Sequence, residues 1–205
     1  MFNLLEEIKR INAIADVGLL YASNGYEKER YTELREVAVR MLREVSSQPI
    51  EELRLLFPSP SDYPTAKVDI RALVIDAEKR ILMVQESADG KWSLPGGWAE
   101  IGYSPAETAQ KEVKEETGLH VIAKNLLAVF DKRKHAHPPQ PHYVYKLVFE
   151  CDLVSGQIEK GFDVLDVRFF SLDALPELSL DRILKSQVEL VFRKAIDGDR
   201  SAYFD

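Results

Sequence analysis

Glu112, Glu115 and Glu116, followed by Gly118, are the residues most able to do chemistry in this chain. Residues three and four apart share one helix face, so three carboxylates crowd one patch. On an open surface each like-charged pair costs roughly a few tenths of a kcal/mol. A hard divalent cation held among the oxygens removes that cost, and Mg²⁺ or Mn²⁺ suits such donors. In isolation an acidic run of this kind reads as a solvated helix face. Its surroundings argue otherwise.

Leu94-Pro95-Gly96-Gly97 precedes the acids, with strand-like Lys91-Trp92-Ser93 before it. Ser104-Pro105-Ala106-Glu107 has the form of a helix start, with a capping Ser, Pro at the first position and Glu three residues on. Ala106, Ala109 and Val113 fall on another face and suit packing on a sheet. Gly118 is placed to stop the helix. The unit is therefore strand, glycine loop, capped helix and glycine stop. Its acids lie at the C-terminal end, where they oppose the helix dipole and favour a bound cation.

Residues 1–56 read as helices. Leu4, Leu5, Ile8, Ile11 and Ile14-Ala15 recur at three- and four-residue steps. Ser23-Asn24-Gly25 breaks the pattern. A second stripe runs through Tyr31, Leu34, Val37, Ala38, Met41, Leu42 and Val45, and a third short helix is expected from Ile50 to Leu56. Pro58, Pro60 and Pro64 mark a linker. From residue 67 the period becomes two. Strands are expected from residue 67 to Ile75, Arg80 to Gln85, Leu119 to Phe130, His142 to Leu153 and Leu165 to Phe170, then a final helix from Leu180 to Ile196. The expectation is a small all-helical N-terminal domain (1–57), a linker (58–66) and an α/β domain (67–205). That domain is read as a mixed sheet with helices on its faces, an α/β/α sandwich. The helical part exposes apolar stripes that docking on the main domain or on a second subunit would bury; a homodimer is the expectation.

The chain has 205 residues, 45% of them hydrophobic, as in globular proteins. Its net charge of −7, from 27 basic and 34 acidic residues, argues against a stable nucleic-acid partner. Cys151 is the single cysteine and lies in an apolar run, as a packed thiol would. A lone cysteine fits a reducing cytosol, and no signal peptide or membrane span is evident. A cytoplasmic location is expected.

Gly97 to Leu119 resembles the Nudix box, G-x5-E-x7-R-E-U-x-E-E-x-G-U, where U is a bulky aliphatic. Gly97, Glu112, Val113, Glu115, Glu116, Gly118 and Leu119 match it; Tyr103 replaces the early glutamate and Lys111 the arginine. The helical segment is similar to the N-terminal domain of a Nudix subgroup that hydrolyses X-linked nucleoside diphosphates. The resemblance implies a pyrophosphohydrolase dependent on Mg²⁺ or Mn²⁺. CDP-choline, split to CMP and phosphocholine, is the expected substrate, with ADP-ribose or a sugar nucleotide as the nearest alternative. A non-catalytic nucleotide sensor is the reading from another class, and a side activity on RNA ends is compatible with the chemistry.

In that frame Glu112, Glu116 and the Gly97 carbonyl would hold the metal. Glu115 would be a third ligand or the base, with Asp163, on a later loop, as the alternative base. Lys111 would hold a catalytic carboxylate as a point charge. Arg71 is a candidate phosphate contact, with a cross-strand partner as the equal alternative; a direct pair with Asp69, two residues away, is not expected. Lys132 and Arg133 lie in the basic run 131–137, which could meet the diphosphate or, equally, form a solvated loop. Trp98 and Tyr103 could stack on a base or face a quaternary ammonium. His135, His137 and His142 straddle prolines, and no zinc site is expected of them.

Overall fold

A computed structural model describes residues 4–46 and 63–205. They divide into two compact units, one holding the residues up to Ala66 with Pro139–His142, the other Lys67–Pro138 with Tyr143–Asp205. The expected helix from Ile50 to Leu56, Pro58 and Pro60 lie outside the described residues.

The first unit contains α1 (Leu4–Tyr21) and α2 (Gly25–Ser46). Asn24 starts α2: its side-chain oxygen accepts the Glu27 N–H at 3.0 Å, and the Glu27 carboxylate accepts the Ser23 N–H at 2.7 Å. Two exposed donors at the helix start are satisfied in this way. Gly18 lets the helices close, because a Cβ there would stand 2.3 Å from the Tyr31 ring. Ile8, Ala38, Val39 and Leu42 form the apolar contact. The buried stripe differs from the one the periodicity suggests. On α1 it takes in Lys9, Asn12 and Asp16, while Leu4 and Ile14 stay exposed, as do Leu34 and Val45 on α2. Ion pairing explains the shift: Asp16 accepts from Arg35 of α2 at 2.9 Å and from Asn12 at 3.0 Å.

The second unit runs β1 (Lys67–Val74), β2 (Ile81–Glu86), β3 (Trp92–Ser93), α3 (Pro105–Thr117), β4 (His120–Asp131), β5 (Val144–Ser155), β6 (Val164–Phe170), α4 (Lys185–Ile196) and β7 (Tyr203–Phe204). One sheet has the order β1-β5-β4-β7 and the other β3-β2-β6. β1 pairs with β5 in parallel, β5 with β4 antiparallel, and β2 with both its neighbours antiparallel. The expected mixed α/β sandwich is present.

β1 is buried on both faces, as a strand covered on each side must be. Ile70, Ala72 and Val74 join Ala109 and Val113 of α3 in one core. Leu73 points the other way, into a core with Met83, Phe130, Val148 and, from α4, Val188 and Val191. The free side of β1 is taken by the glycine loop. Ile70 N–H donates to Gly97 O at 2.8 Å, Ala72 N–H to Pro95 O at 2.9 Å, and Ala99 N–H to Val68 O at 2.8 Å. The loop is therefore fixed as firmly as a strand.

The structure departs from the sequence reading in several places, among them β5, which runs from Val144 to Ser155 rather than from His142 to Leu153. The last helix starts at Lys185, because residues 180–183 form a turn in which the Ser179 carbonyl accepts Arg182 N–H and Ile183 N–H. β2 starts at Ile81, because Arg80 closes a turn on Asp76. β7, two residues paired in parallel with β4, is too short to leave a periodic signal.

Candidate active site

α3 has the caps its sequence announces. Ser104 Oγ accepts the Glu107 N–H at 3.3 Å, the Glu107 carboxylate accepts the Ser104 N–H at 2.8 Å, and Pro105 opens the first turn. Gly118 closes the helix at φ 75° and donates to Lys114 O at 3.0 Å. With Ala109 and Val113 fully buried, the rotation of α3 is fixed, and so are the directions of its acids.

Glu116 is 4% exposed and accepts the Gly96 N–H at 2.9 Å through Oε2. Burial pushes its carboxyl up to about 8; Arg71 and the Gly96 N–H oppose the rise, while Glu86 and Glu112 add to it. Glu112 is one turn back and lies against Gly97, where a Cβ would stand 2.6 Å from its Oε1. Its carboxyl is also raised, first by burial, with Lys111 opposing and Glu115 adding. Gly96, at φ 145°, has room for no side chain, since a Cβ would meet the Ile70 carbonyl at 2.0 Å. Two glycines thus bring backbone against two carboxylates that the protein leaves under-neutralised. A hard divalent cation fits this donor set, which is all oxygen and carries excess negative charge.

The third acid is placed differently. Glu115 is half exposed and pairs with Lys111 at 2.7 Å, and Lys111 also reaches Glu100 at 3.1 Å. These two carboxylates hold the Lys111 ammonium well above the usual lysine range. Among the described residues no group of three or more His, Cys, Asp or Glu side chains is already gathered to hold a metal. Glu112 and Glu116 converge on the glycine loop, while Lys111 holds Glu115 through one carboxylate oxygen, Oε2. The Gly97 carbonyl accepts the Ile70 N–H, which leaves its second lone pair for any further ligand.

The loop that carries Asp163 docks on the end of α3. Gly161 N–H donates to Glu116 O at 3.0 Å, and Glu159 N–H to Thr117 O at 2.9 Å, satisfying carbonyls that the helix end leaves open. Asp163 itself is exposed. Trp98 and Tyr103 are each 49% exposed beside the glycine loop. Lys67 Nζ lies 5.2 Å from the Trp98 ring and Lys111 Nζ 5.9 Å from the Tyr103 ring.

Three expectations need correction. Arg71 does pair with Asp69, at 2.9 Å, and is buried. Side chains two apart on a strand share a face, so the spacing brings the pair together. Arg71 also donates to Ser93 Oγ and Leu94 O, and Lys146, fully buried, donates to Asp69. Arg71 is thus a structural cation beneath the loop. Lys132 turns inward and donates to Asp181 O at 2.6 Å. Arg133 folds back on Asp131, which caps the short 3-10 turn Lys132–Lys134, and its guanidinium lies 5.1 Å from the Tyr143 ring. The basic run therefore does not present Lys132 and Arg133 as open charges. His135 bonds Asp205 at 3.0 Å and His137 bonds Leu180 O at 2.6 Å. Cys151 is buried, and that burial pushes its thiol up to about 12.

Sequence reasoning missed Glu86 and Glu100. Glu86 ends β2, accepts from Ser93 Oγ at 2.5 Å and from Arg182 at 2.9 Å, and adds to the field at Glu116. Neither residue carries a local signal, because their partners are distant in the chain.

Comparison with known proteins gives the family. Residues 65–191 match the NUDIX domain family, and residues 3–57 match a family described as a UDP-X-like, N-terminal oligomerisation domain. A putative ADP-ribose pyrophosphatase of Bacillus subtilis (strain 168) is 42% identical over 201 residues, spanning 98% of this chain and 96% of its own. The crystal structure of a UDP-X diphosphatase superposes with a TM-score of 0.64 at 36% identity, over 98% of each chain. That of an ADP-ribose pyrophosphatase from Streptococcus suis gives 0.62 at 38% identity, over 69% of this chain and 100% of the other. None of these singles out CDP-choline. Among the described residues no helix is long and apolar enough to cross a membrane. The chain belongs to the Nudix family and is a hydrolase of the pyrophosphatase kind, with a UDP-X-like N-terminal region.

Proposed function

We propose that this enzyme hydrolyses the diphosphate of a nucleoside diphosphate linked to a second moiety, with Mg²⁺ or Mn²⁺ as cofactor. ADP-ribose and UDP-linked conjugates rank ahead of CDP-choline, because the full-length relatives carry those names. The observation that carries the reading is the convergence of Glu112 and buried Glu116 on Gly96-Gly97 with both carboxyls raised.

Glu112 and Glu116 would hold the cation, with Glu115 recruited as a further ligand or acting as the base. A bound divalent cation neutralises the diphosphate and makes water more acidic. Lys111 orients Glu115 by donating to its Oε2. Glu115, which is half exposed, takes a proton from the attacking water; Asp163 is the alternative. The new P–O bond forms as the bridging P–O bond breaks, giving a nucleoside monophosphate and a phosphorylated moiety. Trp98 and Tyr103 provide exposed aromatic faces for a base or sugar.

The division at 1–57, 58–66 and 67–205 is the working domain plan. The helical part would join two copies, since Ile14, Leu20 and Leu34 leave apolar surface uncovered. The single cysteine suits a reducing cytoplasm.

Purified protein should be incubated with Mg²⁺ or Mn²⁺ and a panel holding ADP-ribose, UDP-sugars and CDP-choline. Release of a nucleoside monophosphate ranks the substrates. No release from any member would refute the hydrolytic reading of this site.

A further inference from the structure

The Nudix pattern pairs a glutamate with an arginine eight residues later, and this chain has Tyr103 and Lys111 at those places. Tyr103 brings its ring within 5.9 Å of Lys111 Nζ, but a ring supplies no negative charge. The charge comes from elsewhere. Glu100 Oε1 lies 3.1 Å from Lys111 Nζ, and Glu115 Oε2 lies 2.7 Å from it. Glu100 reaches this place through a tight turn. Tyr103 N–H donates to Glu100 O at 3.3 Å, and Gly102 takes φ 96°, a conformation that favours glycine. The turn folds Glu100 back over α3, eleven residues before the lysine it meets.

We propose that Glu100 supplies the carboxylate that the family pattern places at position 103, and that it acts through Lys111 as a positioning residue for Glu115. The inference rests on the pyrophosphatase reading of the site. A lysine ammonium is a point charge on a flexible stem and, unlike a guanidinium, has no fork to fix its direction. One carboxylate leaves it free to swing. Two carboxylates fix Nζ between them, and Glu100 is anchored by the loop that hydrogen-bonds β1. Glu115 is then held at a defined place one turn from Glu112, despite being half exposed. Lysine in place of arginine and tyrosine in place of glutamate become one coupled change, with Glu100 as its third member.

The test uses the full chain with Glu100→Gln, Tyr103→Glu and the double variant. Three quantities are read: kcat and KM on the best conjugate of the panel, Mn²⁺ affinity by electron paramagnetic resonance, and Tm. Glu100→Gln should lower kcat about tenfold, the lower end for loss of a residue that orients a ligand, with KM within twofold. Mn²⁺ affinity should fall with it. Adding Tyr103→Glu should return kcat and Mn²⁺ affinity toward wild type, because a carboxylate is restored three residues further on, while KM rises with loss of the Tyr103 ring. A Glu100→Gln enzyme within twofold of wild type in kcat and Mn²⁺ affinity overturns the proposal, as does a loss that Tyr103→Glu leaves unrestored. If the wild-type protein turns over no conjugate, the function reading fails instead. The Mn²⁺ titrations then decide Glu100 on their own, by loss and restoration or by no change.

Discussion

Replacing Glu116 by Gln should stabilise the metal-free protein at alkaline pH while removing turnover. Glutamine keeps the shape and still offers an oxygen to the Gly96 N–H, so only the charge is lost. Burial holds the Glu116 carboxyl at about 8 against an ordinary 4.5. Between those values the folded protein keeps a proton that the unfolded chain has released. Stability therefore falls as pH rises through that window. The full displacement corresponds to about 5 kcal/mol, at about 1.4 kcal/mol per pH unit. Relaxation and water entry reduce it to about 2–3 kcal/mol at pH 8.5, as for other buried charges. For a protein of this size that is about 4–12 °C in Tm. Thermal melts in EDTA at pH 5.5 and 8.5 read the effect directly. The gap between the two proteins should be small at pH 5.5, one unit into the window, and the variant should melt several degrees higher at pH 8.5. Turnover in Mg²⁺ should fall about a hundredfold or more, since a ligand charge is gone. A variant that melts at or below wild type at pH 8.5, or one that keeps its turnover, would refute the reasoning.

Gly161→Ala places a Cβ 2.3 Å from the Glu115 carbonyl, so the 156–163 loop must lift from α3. We expect kcat to drop about tenfold, with a loss of about 1–3 kcal/mol in urea unfolding, the usual cost of overpacking; an unchanged kcat would separate the loop from catalysis. Arg71→Met leaves Asp69 and Glu86 without their shared cation, although Lys146 and Arg182 remain. Denaturant titration should show a loss of about 3–5 kcal/mol, as for one partner removed from a buried network. A loss in KM alone, with stability intact, would return Arg71 to the substrate.

The helix that carries the acids was fully legible in the sequence. Ser104, Pro105, Glu107 and Gly118 mark its ends by local chemistry, and the four-residue step from Glu112 to Glu116 sets their shared face. The mixed α/β architecture was legible for the same reason, through period. What sequence hides is pairing at a distance. Lys132 and Arg133 look like free cations until Asp181 and Asp131 are seen to take them. Glu100 looks like a loop residue until α3 brings Lys111 to it. On α1 the apolar repeat misleads, because Asp16 and Arg35 turn a polar stripe inward while Ile14 stays out. β7 carries only two residues and no pattern.

The central claim is that Glu112 and Glu116 share one divalent cation at Gly96-Gly97. Crystals grown with Mn²⁺ and measured at the manganese absorption edge test it most directly. The account predicts one anomalous peak about 2.0–2.3 Å from an oxygen of each carboxylate, within the range for hard cations. A peak elsewhere, with both acids unligated, would contradict it.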